Sequence, residues 1–225
     1  MTSSRLADLT WTDLDRRRPL LAVPLGSTEQ HGPHLPLSTD TEIAVVLCDL
    51  LAAERDDVVV APPLPYGSSG EHAGFPGTLS IGQDALEMVV VELVRSAAAS
   101  FDGVILVSGH GGNAEPLLRA VTKARAEGHE VMMFLPRWEG DPHAGRVETS
   151  VMLVVQPDRV RLDAVAAGNT EPLPELLPRL RAEGVRAVSP NGVLGNPEGA
   201  DAAEGSALLE AALGQLIADV TRWRA

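Results

Sequence analysis

Short runs of consecutive apolar residues alternate along this chain with longer segments of helical periodicity. Four of the runs are short and continuously apolar, as expected of buried strands, at residues 19–26, 58–61, 104–107 and 131–135. Strands that are apolar on both faces and separated by helices are typical of a parallel sheet covered on both sides. The pattern predicts an α/β fold, a single-domain α/β/α sandwich with a mostly parallel central sheet, over residues 1–225.

Helices are predicted where apolar residues recur every three or four positions. They cover residues 41–55, 84–100, 114–127 and 205–223. Gly128 is expected to end the third of them. Residues 148–155 fit a helix or a strand equally well. Residues 172–197, interrupted by Pro and Gly, are expected to be irregular around one short helix at 176–183.

The composition argues against several classes of partner. The chain has 31 acidic and 18 basic side chains, a formal net charge of −13, whereas nucleic-acid binding requires a basic face. There is no run of 18 apolar residues and no secretory leader pattern, so we expect no membrane span and a cytoplasmic location. The one cysteine, Cys48, lies in an apolar stretch and is expected to be a small buried side chain.

Three polar loops rich in Gly and Pro directly follow predicted strands, at residues 26–40, 62–80 and 108–113. The carboxyl ends of parallel strands meet at one edge of the sheet, and folds of this class bind their ligands there. We therefore expect the three loops to converge on one site.

The first loop holds two carboxylates and two imidazoles within twelve positions, namely Glu29, His31, His34 and Asp40. A borderline divalent ion such as zinc, iron or manganese prefers such a set. Glu29 and His31 point the same way if the backbone is extended, but spacing alone does not separate His31 from His34 as the ligand. Asp40 is a candidate bridge because a carboxylate offers one oxygen to each of two ions. The alternative is a solvated polar loop.

Further candidates follow the later strands. His110 comes directly after the third strand between glycines and is a candidate ligand. The alternative is a cap on the next helix, a role for which Asn113 is better suited. His143 and Glu148 join the site only if the chain returns to the same edge. His72, in the second loop, is expected to be a wall of a substrate pocket rather than a ligand.

Four motifs occur in a fixed order along the chain. The first is GSTEQHGPHLP at residues 26–36, and the others are FPGT at 75–78, GHGGN at 109–113 and HAG at 143–145, which ETS follows at 148–150. This series resembles the creatininase family over residues 20–155. The resemblance implies a metal-dependent amidohydrolase with two divalent ions, one held by Glu29, Asp40 and His110 and the second shared by His31 and Asp40. Such a pair of ions activates water and polarises an amide carbonyl.

The chain departs from creatininase itself at Gly112 and Pro142, where creatininase has glutamates. The second ion therefore lacks its expected ligand, and Glu148 is the candidate replacement. The same departure favours a substrate other than creatinine.

A closer resemblance rests on GDPHAG at residues 140–145, GVLGNP at 192–197 and AEG at 203–205. These runs are similar to the mycofactocin-system branch of the family. That branch implies a peptidase that removes the C-terminal, Val-Tyr-derived portion of a modified precursor peptide at a Gly–Val bond. It also implies iron or zinc, with manganese as an alternative, and a homo-oligomer.

The resemblance also implies roles for individual side chains. His143 is expected to protonate the leaving amine, with Glu148 beside it as a catalytic or ligating group. The residues expected to line the substrate pocket are Ser69, His72, Gly111, Gly112 and Asn113. Two alternative functions are another family amidohydrolase, acting on creatinine or a formamide, and a non-catalytic metal-binding scaffold.

Overall fold

A single four-stranded parallel sheet lies at the centre of the computed structural model, which describes residues 4–15 and 17–225. The strand order is β2-β1-β3-β4. The strands are β1 (Leu20–Leu25), β2 (Val58–Val60), β3 (Gly103–Ser108) and β4 (Val131–Phe134). Leu25 pairs with Ser108, so the carboxyl ends of the two central strands lie side by side.

Helices connect these strands and cover both faces of the sheet. Within the described residues they are α1 (Trp11–Leu14), α2 (Thr39–Glu54), α3 (Gln83–Ala97), α4 (Ala114–Ala126), α5 (Arg146–Val155), α6 (Leu173–Glu183), α7 (Val185–Val188) and α8 (Ala202–Arg224). Short 3-10 turns occupy Leu6–Asp8, Gly70–His72, Gly111–Asn113, Pro157–Arg159 and Leu162–Ala164.

Each strand contributes alternate side chains to two separate apolar layers. In β1, Leu20 and Ala22 pack with α2, α5 and α8, whereas Leu21 and Val23 pack with α3 and α4. This division follows from the two-residue period of a strand. It confirms the predicted α/β/α sandwich, with a sheet that is parallel throughout the described residues. The expectation of one domain over residues 1–225 stays a prediction.

Several element boundaries differ from the predicted ones. Helix α2 begins at Thr39, which places Asp40 in its first turn and not in the preceding loop. Residues 146–155 form a helix, α5, and α6 is longer than predicted because Pro174 lies in its first turn, where a missing N–H costs nothing. Helix α8 starts three residues before the predicted position, where the Asp201 side chain accepts a hydrogen bond from the Glu204 N–H.

Cys48 is fully buried in the layer formed by α2, as predicted, and burial raises the pKa of its thiol well above the usual value. None of the helices described is both long and apolar enough to cross a bilayer.

Candidate metal centre

Two glycines allow the first turn of α2 to press against the carboxyl ends of β1 and β3. A Cβ on Gly26 would overlap with Thr41, and a Cβ on Gly109 would overlap with the backbone carbonyl of Asp40. Such close backbone approach is open only to glycine. The packing carries Asp40 into the middle of the three polar loops.

The Asp40 carboxylate lies between two imidazoles. Its Oδ1 is 3.0 Å from His31 Nε2, its Oδ2 is 3.1 Å from His110 Nδ1, and Oδ2 also accepts a hydrogen bond from Ser27 Oγ at 2.6 Å. Burial alone would raise the pKa of Asp40, but the positive charge of His31 and the hydrogen bonds from both imidazoles hold it well below its usual value. Asp40 is therefore an anion between two imidazoles.

Glu29 is fully buried, and neither of its carboxylate oxygens has a partner at hydrogen-bonding geometry within the described residues. The imidazoles of His110, His72 and His143 stand 3.3, 3.4 and 3.8 Å away. Burial raises the pKa of Glu29 to about 7. An unpartnered buried carboxylate is costly unless a cation satisfies it, so this orphaned group fits a bound metal ion.

Three of the surrounding histidines turn one ring nitrogen to a backbone carbonyl. His31 Nδ1 is 3.1 Å from the Glu29 carbonyl, His110 Nε2 is 3.0 Å from that of Ser68, and His143 Nε2 is 2.9 Å from that of Gln30. A carbonyl only accepts, so each of these nitrogens carries a proton and the opposite nitrogen of the ring faces the centre. In His31 and His110 that opposite nitrogen faces Asp40 and must lose its own proton before it can bind a metal ion. Metal-binding histidines are commonly oriented by such contacts.

Glu148, in the first turn of α5, reaches the same place from another element. Its Oε2 is 3.9 Å from His31 Nε2 and accepts a hydrogen bond from the Ala144 N–H at 2.6 Å. The return of the chain is secured by Leu194, whose backbone pairs with that of His143. The chain thus returns to the same edge of the sheet, which was the condition for His143 and Glu148 to join the site.

Three sets of ligand atoms are close enough together to hold an ion, with all atoms of a set within 4.8 Å of one another. The sets are Glu29, Asp40 and His110; His31, Asp40 and Glu148; and Glu29, His31 and His143. Because Asp40 belongs to the first two, the geometry accommodates a pair of ions that share its carboxylate.

The rings of His72 and His143 lie beside this cluster, tilted relative to each other, with their centroids 4.4 Å apart. Burial lowers the pKa of His72 to about 3 and that of His143 well below its usual value. Both rings are therefore neutral at neutral pH. The expectation that His143 acts as a general acid is accordingly modified, because the ring must first take up the proton that it later donates.

The structure separates the two histidines that spacing left equivalent. His34 Nε2 lies 2.9 Å from Thr149 Oγ1, on α5 and away from the carboxylates, whereas His31 faces Asp40. Burial, followed by the nearby His31 charge, lowers the pKa of His34 to about 4. His34 joins the first loop to α5.

The residues expected to line the substrate pocket divide into two groups. His72, Gly111 and Gly112 line the cleft above the centre, and Ser69 is buried with Oγ 3.4 Å from His110 Nε2. Asn113 is different. It is fully buried at the N-cap position of α4, but its side chain makes no cap; it donates to the Gly26 carbonyl and accepts from the Ser68 N–H. The predicted capping role is wrong, and the side chain holds two loops together.

Two side chains near the centre were missed by sequence reasoning. Glu71 Oε1 is 3.7 Å from His110 Nε2, and a Cβ on Gly112 would overlap with this carboxylate and with His110. The Gln30 amide touches His72 and His143. Gln30 lies within the first motif, between Glu29 and His31, and that position was the available signal. For Glu71, the only available signal in the sequence was its position next to His72.

Two cavities open onto the centre. The larger, of about 910 Å³, is bounded by the loop after β2 and by one side of α6, where Leu173, Leu177 and Leu180 form an apolar wall. The smaller, of about 370 Å³, lies between β4 and the segment before α6. Both include His110, Pro142 and Glu148, so an extended molecule has room on either side of the candidate ligands.

Comparison with known proteins places this arrangement in a family. The family model for creatininase, described as creatinine amidohydrolase, matches residues 7–220. The chain belongs to the creatininase family. It is a hydrolase of that family with a candidate metal centre at the carboxyl edge of its sheet.

Curated members of the creatininase family extend the likeness over almost the whole chain. The mycofactocin precursor peptide peptidase of Mycolicibacterium smegmatis is 47% identical over 98% of this chain and 92% of its own length. The protein of the same name from Mycobacterium tuberculosis is 45% identical over 97% and 91%. Creatinine amidohydrolase of Pseudomonas putida is 30% identical over 71% and 75%.

Solved structures of creatininases share the fold. A crystal structure of creatinine amidohydrolase superposes with a TM-score of 0.83 at 27% identity, covering 98% of this chain and 97% of that one. A mutant creatininase described as Zn-Zn type gives 0.84 at 26%, covering 99% and 98%, and a structure described as creatininase Mn gives 0.82 at 26%, covering 98% of each chain.

Proposed function

We propose that this chain is a metal-dependent peptidase that trims the modified mycofactocin precursor peptide at the Gly–Val bond before its C-terminal portion. The observation that carries this proposal is the 45–47% identity, over 97–98% of the chain, to proteins named for that activity. The two cavities beside the candidate ligands give a peptide room on either side of them, which a small cyclic amide would not need.

Two divalent ions per subunit are part of the proposal, iron or zinc, with manganese as an alternative. Glu29, Asp40 and His110 would hold one ion, and His31, Asp40 and Glu148 the other. The orphaned oxygens of Glu29, and the ring nitrogens of His31 and His110 that face the centre, support this assignment. When bound, the ions supply an activated water and a positive charge that stabilises the developing oxyanion.

His143 is proposed to carry the proton between the two halves of the reaction. As the water oxygen bonds to the peptide carbonyl carbon, His143 Nδ1 accepts the proton that the water loses. When the C–N bond breaks, the same nitrogen donates that proton to the leaving amine. His143 Nε2 keeps its hydrogen bond to the Gln30 carbonyl throughout, which holds the ring in place.

Mass spectrometry of the modified precursor after incubation with zinc-loaded or iron-loaded protein tests the proposal. We expect loss of the C-terminal portion, no cleavage of the unmodified precursor, and no cleavage by the His31→Ala and Asp40→Ala variants. An intact modified precursor after incubation with fully metal-loaded protein would overturn the function.

Parallel incubations address the alternative functions. Release of creatine from creatinine, or of formate from a formamide, would favour another amidohydrolase of the family. Bound metal without hydrolysis of any of these substrates would favour a scaffold. A homo-oligomer is also proposed, and light scattering coupled to size-exclusion chromatography measures it directly.

A further inference from the structure

The buried amide of Gln30 lies behind two of the histidines at the centre. Gln30 is only 5% exposed. Its Nε2 is 2.9 Å from His72 Nδ1, 3.0 Å from His143 Nε2 and 3.0 Å from the Gly192 carbonyl oxygen. Its Oε1 accepts a hydrogen bond from the Gly32 N–H at 2.9 Å.

The orientation of this amide follows from its two backbone neighbours. The Gly32 N–H needs an acceptor and the Gly192 carbonyl needs a donor. Turning the amide over would leave the Gly32 N–H facing an NH₂ group and the Gly192 carbonyl facing an oxygen. Gly192 packs closely on the amide, since a Cβ there would overlap with it.

Counting protons then assigns both rings. Gln30 Nε2 has two hydrogens, and the Gly192 carbonyl takes one. His143 Nε2 is 2.9 Å from the backbone carbonyl oxygen of Gln30. That oxygen only accepts, so His143 Nε2 carries its own proton. The second hydrogen of Gln30 is left for His72 Nδ1, which must accept it with a lone pair.

We propose that Gln30 is a positioning residue that makes His72 a hydrogen-bond donor toward the centre, through a proton held on Nε2. His72 Nε2 lies 3.4 Å from Glu29 Oε1 and at the wall of the larger cleft. This assignment separates His72 from His31, His110 and His143. In those three rings a backbone carbonyl holds the far nitrogen, so the nitrogen that faces the centre is the one available to bind a metal ion or to carry a proton.

The assignment gives His72 a role in the reaction and rests there on the proposed function. A neutral ring with its proton on Nε2 cannot bind a metal ion through that nitrogen. It can donate to Glu29, or to the carbonyl oxygen of a bound peptide as negative charge develops on it. Gln30 thus prepares two different histidines on one side of the centre, a donor at His72 and a proton carrier at His143.

Heteronuclear NMR of the zinc-loaded wild-type protein, with nitrogen-labelled histidine, tests the assignment without any turnover. Two-bond correlations between ring protons and ring nitrogens distinguish the tautomers, and single histidine substitutions identify the signals. We expect His72 to be protonated at Nε2 and unprotonated at Nδ1. A proton on His72 Nδ1 would overturn the proposal.

The Gln30→Glu variant tests the cause. A carboxylate at this place cannot donate, so the His72 proton should move to Nδ1, while His143 keeps its proton on Nε2 because the backbone carbonyl of residue 30 is unchanged. We expect kcat for the modified precursor to fall by roughly 10–100-fold with little change in KM, as for other groups that orient metal-site residues. An unchanged His72 tautomer would contradict the proposal.

A matched control is Gln156→Glu, the same chemical change at the half-buried C-cap of α5. It should leave both tautomers and kcat as in the wild type. If the tautomers are as expected but the wild type does not cleave the precursor, the proposed function fails and the role of Gln30 stands. If the precursor is cleaved but His72 carries its proton on Nδ1, the proposed role of Gln30 fails and the proposed function stands.

Discussion

At the scale of single residues, the centre depends on Asp40 because its two oxygens face two different histidines. His31 approaches Oδ1 and His110 approaches Oδ2, and each ring is held on its far side by a backbone carbonyl. Beside Asp40, Glu29 adds a carboxylate to the set that includes His110, and Glu148 adds one to the set that includes His31. The centre thus brings together two imidazoles and three carboxylates as candidate ligands.

Glu148 is the proposed ligand that distinguishes the second half of the centre. Glu148→Gln removes the charge but retains the size, so we expect bound metal to fall from two ions toward one per subunit, as measured by inductively coupled plasma mass spectrometry. Glu210→Gln, on the exposed side of α8, is the control and should retain full metal content. Two ions retained in Glu148→Gln would mean that Glu148 is not a ligand.

The protonation of His31 and His110, the two candidate ligand histidines, predicts that metal binding depends on pH. Burial opposes their charge, but Asp40 for His31, and Glu29 followed by Asp40 for His110, raise each pKa to about 10 in the metal-free protein. Both rings are therefore protonated at pH 7, and a metal ion must displace those protons. The affinity for metal ions should therefore rise with pH up to about pH 10.

Calorimetric titration with zinc in buffers of different ionisation enthalpy measures the displaced protons. We expect about two per pair of ions at neutral pH, one from each histidine, with an additional contribution from Glu29, whose pKa is raised to about 7 by burial. Binding without proton release would show that these histidines are not the ligands.

At the scale of elements, the centre is positioned by the contact between α2 and the ends of the central strands. The contact exists because Gly109 and Gly26 have no side chains. Gly109→Ala would push the first turn of α2 outward, and we expect it to destabilise the metal-free protein by about 1–3 kcal/mol, the usual cost of overpacking. It should also lower metal content, since Asp40 moves with the helix.

Gly214→Ala is the comparison for that substitution. Gly214 lies on the exposed side of α8, with open space where a Cβ would be. An alanine there should stabilise the protein by roughly 1 kcal/mol through helix propensity. Denaturant unfolding of both variants in chelator measures the difference. Equal stability of Gly109→Ala and the wild type would show that α2 is not held by this contact.

At the scale of the whole molecule, the centre links elements that are far apart in sequence. The loop after β1, α2, the loop after β3 and α5 all supply candidate ligands. A bound pair of ions would therefore tie α2 and α5, which lie in the same layer of the sandwich, to the sheet edge. Binding to the folded state alone stabilises it by mass action. Metal binding should therefore be visible in global unfolding.

Removal of metal is expected to lower the melting temperature. A free ion concentration about one hundred times the Kd stabilises the folded state by about 2.7 kcal/mol. That stabilisation corresponds to a rise in melting temperature of roughly 5–11 °C for a chain of this size. Differential scanning calorimetry with and without chelator measures the shift, and Asp40→Ala should show none. The same shift in wild type and Asp40→Ala would place the stabilising ion elsewhere.

The sequence by itself determined the layered fold, the order of strands and helices, and the loops that carry the chemistry. These features follow from local apolar periodicity and from glycines and prolines, which are set by neighbouring residues. Tertiary structure alone separated His31 from His34, turned Asn113 from a cap into a loop tether, and brought Gln30 and Glu71 to the centre. Those outcomes depend on which way a side chain points once distant segments pack, and that direction is decided by contacts between residues more than forty positions apart, such as Gln30 with His72 and His143.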